Sequence, residues 1–136
     1  MKRTGGCACG AIRFEITQDL LGIGSCHCSD CQKASGGGPN YVALAAQDAL
    51  TLLSGSPKLY HRTGGSGATV ARAFCGDCGC PLWSLPAHEP FIPVKIGALD
   101  AYEDLAPQMQ IYVASAPPWH TIRDDIPAFE QMPPKG

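Results

Sequence analysis

Eight cysteines stand in a chain of 136 residues, and they fall into three groups: Cys7 and Cys9; Cys26, Cys28 and Cys31; Cys75, Cys78 and Cys80. In an extended segment, residues two apart face the same way. Cys7 and Cys9 can therefore aim both sulfurs at one point while Ala8 points elsewhere. Cys75-Gly76-Asp77-Cys78-Gly79 has the form of a zinc knuckle, in which Gly79 lets the backbone turn so that amide N–H groups point at the sulfurs. The two pairs, C-x-C and C-x-x-C, supply four thiolates, the donor set of a closed tetrahedral structural zinc. Such a centre would tie the start of the chain to its middle, and in small zinc modules it contributes about 10–16 kcal/mol to folding.

Cys26-His27-Cys28-Ser29-Asp30-Cys31 has a different spacing. Its three thiols can hold one ion from a single loop, and three protein ligands with an open position is the arrangement of a catalytic zinc. His27 sits between two same-side cysteines and is expected to face away from their ion. Cys80 keeps three readings: a small buried hydrophobe, a fourth ligand of the second ion, or a free reactive thiol.

The elements that must carry these thiols read mostly as short strands. Ile12, Phe14 and Ile16 alternate with Arg13, Glu15 and Thr17, the pattern of a half-buried strand. Residues 41–45, 58–62, 69–74, 91–96 and 109–113 are further strand candidates. Ser29 to Ser35 predicts one short helical turn with Ser29 as its N-cap, and Gln47 to Leu53 predicts another. Gly36–Gly38 and Gly64–Gly67 read as turns. Trp83, Trp119, Phe14, Phe74 and Phe91 are assigned to the core, with a place for Trp119 near the second ion as the alternative. Gly and Pro number 16 and 12, so turns are frequent and long helices few. The expectation is a single all-β domain over residues 1–136, with its core at about 4–130 and an extended C-terminal arm, Pro127 to Gly136, ending in a loose tip.

Charged residues make up 16% and the formal net charge is −2. Thiolates in excess of metal charge would make the loaded protein more acidic still, so nucleic acid and anionic lipid are not expected as partners. No apolar run approaches the ~18 residues needed to span a bilayer. Met1 to Gly10 is polar and Gly-rich, without the apolar stretch of an export signal, so a cytoplasmic location with reduced thiols is expected.

Three stretches together resemble the glutathione-dependent formaldehyde-activating enzyme family, which shares its domain with centromere protein V. They are Gly5-Gly6-Cys7-Ala8-Cys9-Gly10-Ala11-Ile12-Arg13-Phe14, Cys26-His27-Cys28-Ser29-Asp30-Cys31-Gln32-Lys33-Ala34-Ser35-Gly36, and Phe74-Cys75-Gly76-Asp77-Cys78-Gly79. The likeness runs from about Gly5 to about Phe129 and includes Ala116-Pro117-Pro118-Trp119. It implies an all-β, zinc-binding β-tent of small antiparallel sheets related to the Mss4-like group, with two zinc ions per chain. Cys7, Cys9, Cys75 and Cys78 match the structural zinc ligands, and Cys26, Cys28 and Cys31 the catalytic ones. Cys80 departs from the family pattern.

The chemistry implied is carbon–sulfur lyase chemistry. A thiol such as glutathione loses its proton on coordination, and its thiolate adds to formaldehyde or another small aldehyde to give a hemithioacetal. The reverse step breaks a carbon–sulfur bond. The proton for the new alkoxide has five candidate sources, His27, Asp30, His61, His88 and His120, and nothing in the sequence chooses among them. The alternative is a non-enzymatic, zinc-stabilised protein-interaction module of the same fold. An iron–sulfur or rubredoxin-type carrier is a third reading, and its centre would be coloured where zinc is not.

Overall fold

The computed structural model describes residues 2–63 and 67–134. In chain order the strands are β1 (Arg3–Gly6), β2 (Arg13–Ile16), β3 (Gly22–Cys26), β4 (Asn40–Ala46), β5 (Leu50–Ser54), β6 (Lys58–Thr63), β7 (Thr69–Phe74), β8 (Pro81–Pro86), β9 (Phe91–Lys95) and β10 (Met109–Ile111), and the helix α1 (Ser29–Ser35) lies between β3 and β4. The fold is all-β. No helix among the described residues is long and apolar enough to cross a membrane. The chain divides into two compact units, Met1–Gly22 with Ala43–Asp104, and Ile23–Val42 with Leu105–Gly136.

In the first unit, β1, β2 and β5 form an antiparallel three-stranded sheet, and β6 to β9 follow one another as an antiparallel meander. The alternation read in the sequence holds on β2. Phe14 and Ile16 are fully buried, as is Ile12 just before the strand, while Arg13 and Glu15 are half-exposed. Phe14 meets Trp83 edge-on, with ring centroids 5.3 Å apart, so one aromatic from each sheet system anchors this core. Gly5 has a steric reason to be glycine: a Cβ there would lie 2.3 Å from the Ala98 carbonyl oxygen and 2.6 Å from the Phe14 ring. On the outer side of β1 and β2, Asp100 accepts from both Arg13 (2.9 Å for one of the two bonds) and Thr4 (2.6 Å).

Two expectations fail in this unit. Gln47 to Leu53 is helical only over Gln47–Ala49, a single 3-10 turn, and its remainder is β5. Thr51 and Leu52 pair with Glu15 and Phe14 of β2, and that nonlocal pairing overrides local helical preference. Phe74 and Phe91 are half-buried rather than core. The turn at Gly64–Gly67 lies outside the described residues except for Gly67, whose φ is +84°.

In the second unit β10 runs parallel to β3, with Met109, Gln110 and Ile111 opposite Gly24, Ser25 and Cys26. This pair departs from the antiparallel expectation. Gln110 is buried and fully engaged: its Nε2 donates to the Arg123 carbonyl (2.9 Å) and its Oε1 accepts from the Arg123 N–H (2.7 Å). The C-terminal arm is pinned alongside by a parallel bridge from Gln110 to Ala128 and by the Phe129 N–H donating to the Gln110 carbonyl at 2.8 Å. Lys135 and Gly136, the tip of that arm, lie outside the described residues. Helix α1 spans the predicted residues, but its N-cap is Cys28, not Ser29. The thiol competes successfully because its sulfur accepts the Cys31 N–H, the bond a capping hydroxyl would otherwise make. Gly36 closes the helix with φ +88°, the left-handed C-terminal turn that glycine adopts without a Cβ penalty.

Candidate metal centres

The sulfurs of Cys7, Cys9, Cys75 and Cys78 all lie within 4.8 Å of one another, in the first unit. Cys7 to Cys9 is 3.6 Å and Cys9 to Cys75 is 3.8 Å. A tetrahedron built on zinc–sulfur bonds of about 2.3 Å has sulfur–sulfur edges of about 3.8 Å, so the four-sulfur cradle has the size that such an ion demands. Backbone amides complete it. Ile12 N–H donates to Cys7 Sγ (3.3 Å) and Asp77 N–H to Cys75 Sγ (3.4 Å). Gly79 takes φ +76° and its N–H closes the knuckle onto the Cys75 carbonyl at 2.8 Å. The Ile12 amide, more than the neighbouring thiols and against burial, draws the Cys7 thiol down to about 6. An acidified thiol is a better metal ligand at neutral pH.

The sulfurs of Cys26, Cys28 and Cys31 form a second group, again within 4.8 Å, in the second unit. Two come from the end of β3 and the helix cap, and the third from the first turn of α1. Cys31 is buried and the other two are half-buried. Hydrogen bonds from Cys26 and then Cys31 hold the Cys28 thiol down at about 2, and those from Cys28 and then Cys31 push Cys26 far up. Physically, three thiols this close cannot all ionise without a cation among them. Both clusters thus have the donor chemistry and the crowding that a dication would relieve.

His27 and Cys80 belong to neither group. Cys80 is half-buried, its thiol pushed up chiefly by burial, and its carbonyl accepts the Cys75 N–H at 3.0 Å. It serves the knuckle's backbone rather than its sulfur cage. His27 faces away from the cysteines, as its position predicts: it is 1% exposed, with its ring bonded to Ser25 and His120. Burial, then His120, lowers its pKa, so the ring is neutral. Trp119 is 70% exposed and not core; its ring stands edge-on to His120 at 4.6 Å. His61 and His88 are exposed in the first unit.

Two residues beside the three-cysteine group escape a reading of the sequence. Asn40 is buried and its Nδ2 donates to Cys31 Sγ at 3.8 Å. Its Oδ1 is the one buried side-chain oxygen or nitrogen without a partner among the described residues. Tyr112 holds a left-handed backbone, φ +56°. Its phenol is pushed up by burial and then by the charges of Cys26, Cys28 and Cys31. A non-glycine residue in that conformation beside a reactive cluster marks a functional site more often than a random surface position does. Neither residue sits at a motif spacing, so no pattern announces it.

Against known proteins, residues 2–115 match the family described as glutathione-dependent formaldehyde-activating enzyme. A Halomonas elongata protein, named provisionally as a glutathione-dependent formaldehyde-activating enzyme, is 27% identical over 124 residues, covering 87% of this chain and 79% of that one. The crystal structure of a Rhodobacter sphaeroides protein, a structural genomics target, is similar at a TM-score of 0.58 and 25% identity, covering 74% of this chain and 90% of that one. With a match over most of its length, the chain belongs to the glutathione-dependent formaldehyde-activating enzyme family.

Proposed function

We propose that the protein is a zinc-dependent carbon–sulfur lyase that adds glutathione, or a similar small thiol, to formaldehyde or a small aldehyde, reversibly. The observation that carries the reading is the three-sulfur cluster, Cys26, Cys28 and Cys31, found in a chain of this family with no fourth metal-ligating side chain grouped with it among the described residues. In the same reading Cys7, Cys9, Cys75 and Cys78 hold a second, structural zinc. Bound at the trio, zinc supplies Lewis acidity that lowers the pKa of an incoming thiol.

The remaining work falls to the chain. The overall step forms a sulfur–carbon bond and opens the carbonyl π bond, and the thiol proton ends on the former carbonyl oxygen. Cys26, Cys28 and Cys31 fix the place where thiol and aldehyde meet, which supplies effective concentration. Asn40 steadies Cys31 through its amide NH2 and keeps a buried acceptor oxygen free for an O–H or N–H of the bound molecules. Leaving such an oxygen unpaired costs about 1–3 kcal/mol, so a ligand that satisfies it recovers that amount. The trio must stay reduced for any of this, which favours the cytoplasm.

The test is titration of metal-loaded protein with glutathione, followed by carbon-13 NMR with labelled formaldehyde. Two zinc ions per chain, glutathione binding, and accelerated exchange between formaldehyde and its adduct are expected. Loaded protein that neither binds glutathione nor speeds that exchange defeats the reading. One observation favours the alternative of a protein-interaction module: Leu52, Leu53, Leu59 and Tyr60 stand exposed on β5 and β6. That alternative predicts full partner binding from protein with the trio emptied.

A further inference from the structure

On β3 and just beyond it, Ser25 and His27 alternate with Cys26 and Cys28, so the ring of His27 points away from the sulfurs it separates. That ring sits in an unbroken buried chain. Ser25 Oγ lies 3.4 Å from His27 Nε2, His27 Nδ1 lies 3.0 Å from His120 Nδ1, and His120 Nε2 lies 2.8 Å from the Gly37 carbonyl oxygen. Ser25, His27 and His120 are 3%, 1% and 9% exposed.

The direction of every bond follows from the last one. A carbonyl oxygen only accepts, so His120 carries its proton on Nε2. A neutral imidazole has a single N–H, and His120 spends it on the Gly37 carbonyl, so its Nδ1 is bare and accepts. His27 must then donate from Nδ1, which leaves its Nε2 bare to receive the Ser25 hydroxyl. The peptide of His27 is held as firmly as its ring. Its N–H donates to the Ile111 carbonyl (3.0 Å), and its C=O accepts from Gln32 Nε2 (2.8 Å). The residue between two converging thiols is thus fixed at four atoms.

We infer that His120 is a positioning residue for the three-cysteine centre: by fixing His27 as its Nδ1–H tautomer, it locks the peptide between Cys26 and Cys28 in the geometry that brings their sulfurs together. His120 itself is bonded to no sulfur. The inference rests on the reading of the trio as a metal site, not on the identity of the thiol or aldehyde.

The experiment combines nitrogen-15 NMR of the histidine rings with chelator competition and cobalt spectroscopy on the full chain. The wild-type protein should show His27 protonated at Nδ1 and bare at Nε2. His120→Phe keeps a ring against Trp119 but offers no acceptor. It should lose that tautomer signature, release metal from the trio roughly 10–100-fold more readily, and alter the cobalt spectrum of that site, with the Cys7, Cys9, Cys75, Cys78 centre unchanged. His120→Asn, whose Oδ1 can stand in for the accepting nitrogen, should restore most of the retention. A wild-type His27 protonated at Nε2, or cationic, overturns the inference whether or not any variant folds. So does His120→Phe with wild-type retention and spectrum, or His120→Asn no better than His120→Phe. A wild-type trio that takes no metal overturns this inference and the proposed function together. A trio that takes metal yet ignores glutathione defeats only the proposed function.

Discussion

The two cysteine clusters use the same atom type but differ in what completes them. The four-cysteine cluster joins stretches far apart in sequence and is finished by backbone: the Ile12 and Asp77 amides reach its sulfurs, and the knuckle closes on itself. The three-cysteine cluster comes from one short stretch: the Cys31 amide reaches Cys28 as in the other cluster, but side chains add the rest, Asn40 on Cys31 and the His27–His120 chain behind the peptide that carries Cys26 and Cys28. Backbone donors come free with a turn and need no particular residue. Side-chain donors must be placed by other segments, and one of them keeps an unpaired oxygen. A centre that only has to hold the chain together can be made the first way. If the trio receives a thiol, as proposed, an acceptor left unsatisfied beside it is the kind of feature that only the second can supply.

The contrast is sharpest in stability. Cys75→Ser should remove the closed centre and most of the roughly 10–16 kcal/mol that a structural zinc contributes, leaving a chain unfolded by circular dichroism at room temperature. A variant that melts as the parent does would erase the distinction drawn here. Phe14→Ala separates packing from metal: a loss of about 3–5 kcal/mol is expected for emptying a fully buried aromatic site, with both metals still counted by atomic absorption. Cys28→Ala should cost far less, about 1–2 kcal/mol for a lost helix cap, yet empty one of two metal sites and abolish adduct exchange. A Cys28→Ala chain as unstable as Cys75→Ser would mean that the trio is structural too.

The smallest effect tests the outer face of the first unit. Asp100 is held down to about 2, first by the Arg13 guanidinium and then by the Thr4 hydroxyl. A carboxylate whose folded pKa lies below its unfolded value of about 3.9 stabilises the fold above that value, and loses its contribution as pH falls from there toward 2. Because both partners are partly exposed, solvent screening leaves under about 1 kcal/mol. Asp100→Asn should therefore lower the melting temperature slightly and equally at pH 6 and pH 8. A gap that changes between those two values would point to a titrating group other than Asp100.

The residues that were legible in the sequence are those whose signal is local. Ile12, Phe14 and Ile16 announce their strand by period, and the cysteine spacings announce both clusters. β7 matches its expected span because Thr69 to Phe74 is apolar enough and bounded by turns. β1, β3 and β8 were missed, since Arg3–Gly6 and Gly22–Cys26 are glycine-rich and Pro81–Pro86 has proline at both ends. They are strands because neighbours pair with them, which no window of sequence displays. Ser29 looked like the helix cap by residue type, and Cys28 took the place. Asn40 and Tyr112 were beyond reach as partners of the trio, and His120 could not be chosen from among five candidates, for one shared reason: their relation to Cys26, Cys28 and Cys31 exists only after the chain has folded.

The cap on α1 ties chemistry to conformation. The Cys28 sulfur that helps to form the trio is also the atom on which the first turn of the helix hangs, through the Cys31 amide. Whatever consumes that sulfur, whether peroxide, an alkylating agent or a competing heavy metal, unhooks the turn in the same event. Injury to the centre therefore announces itself as fraying at Ser29–Cys31, so the short helix works as a built-in gauge of whether the thiols remain intact.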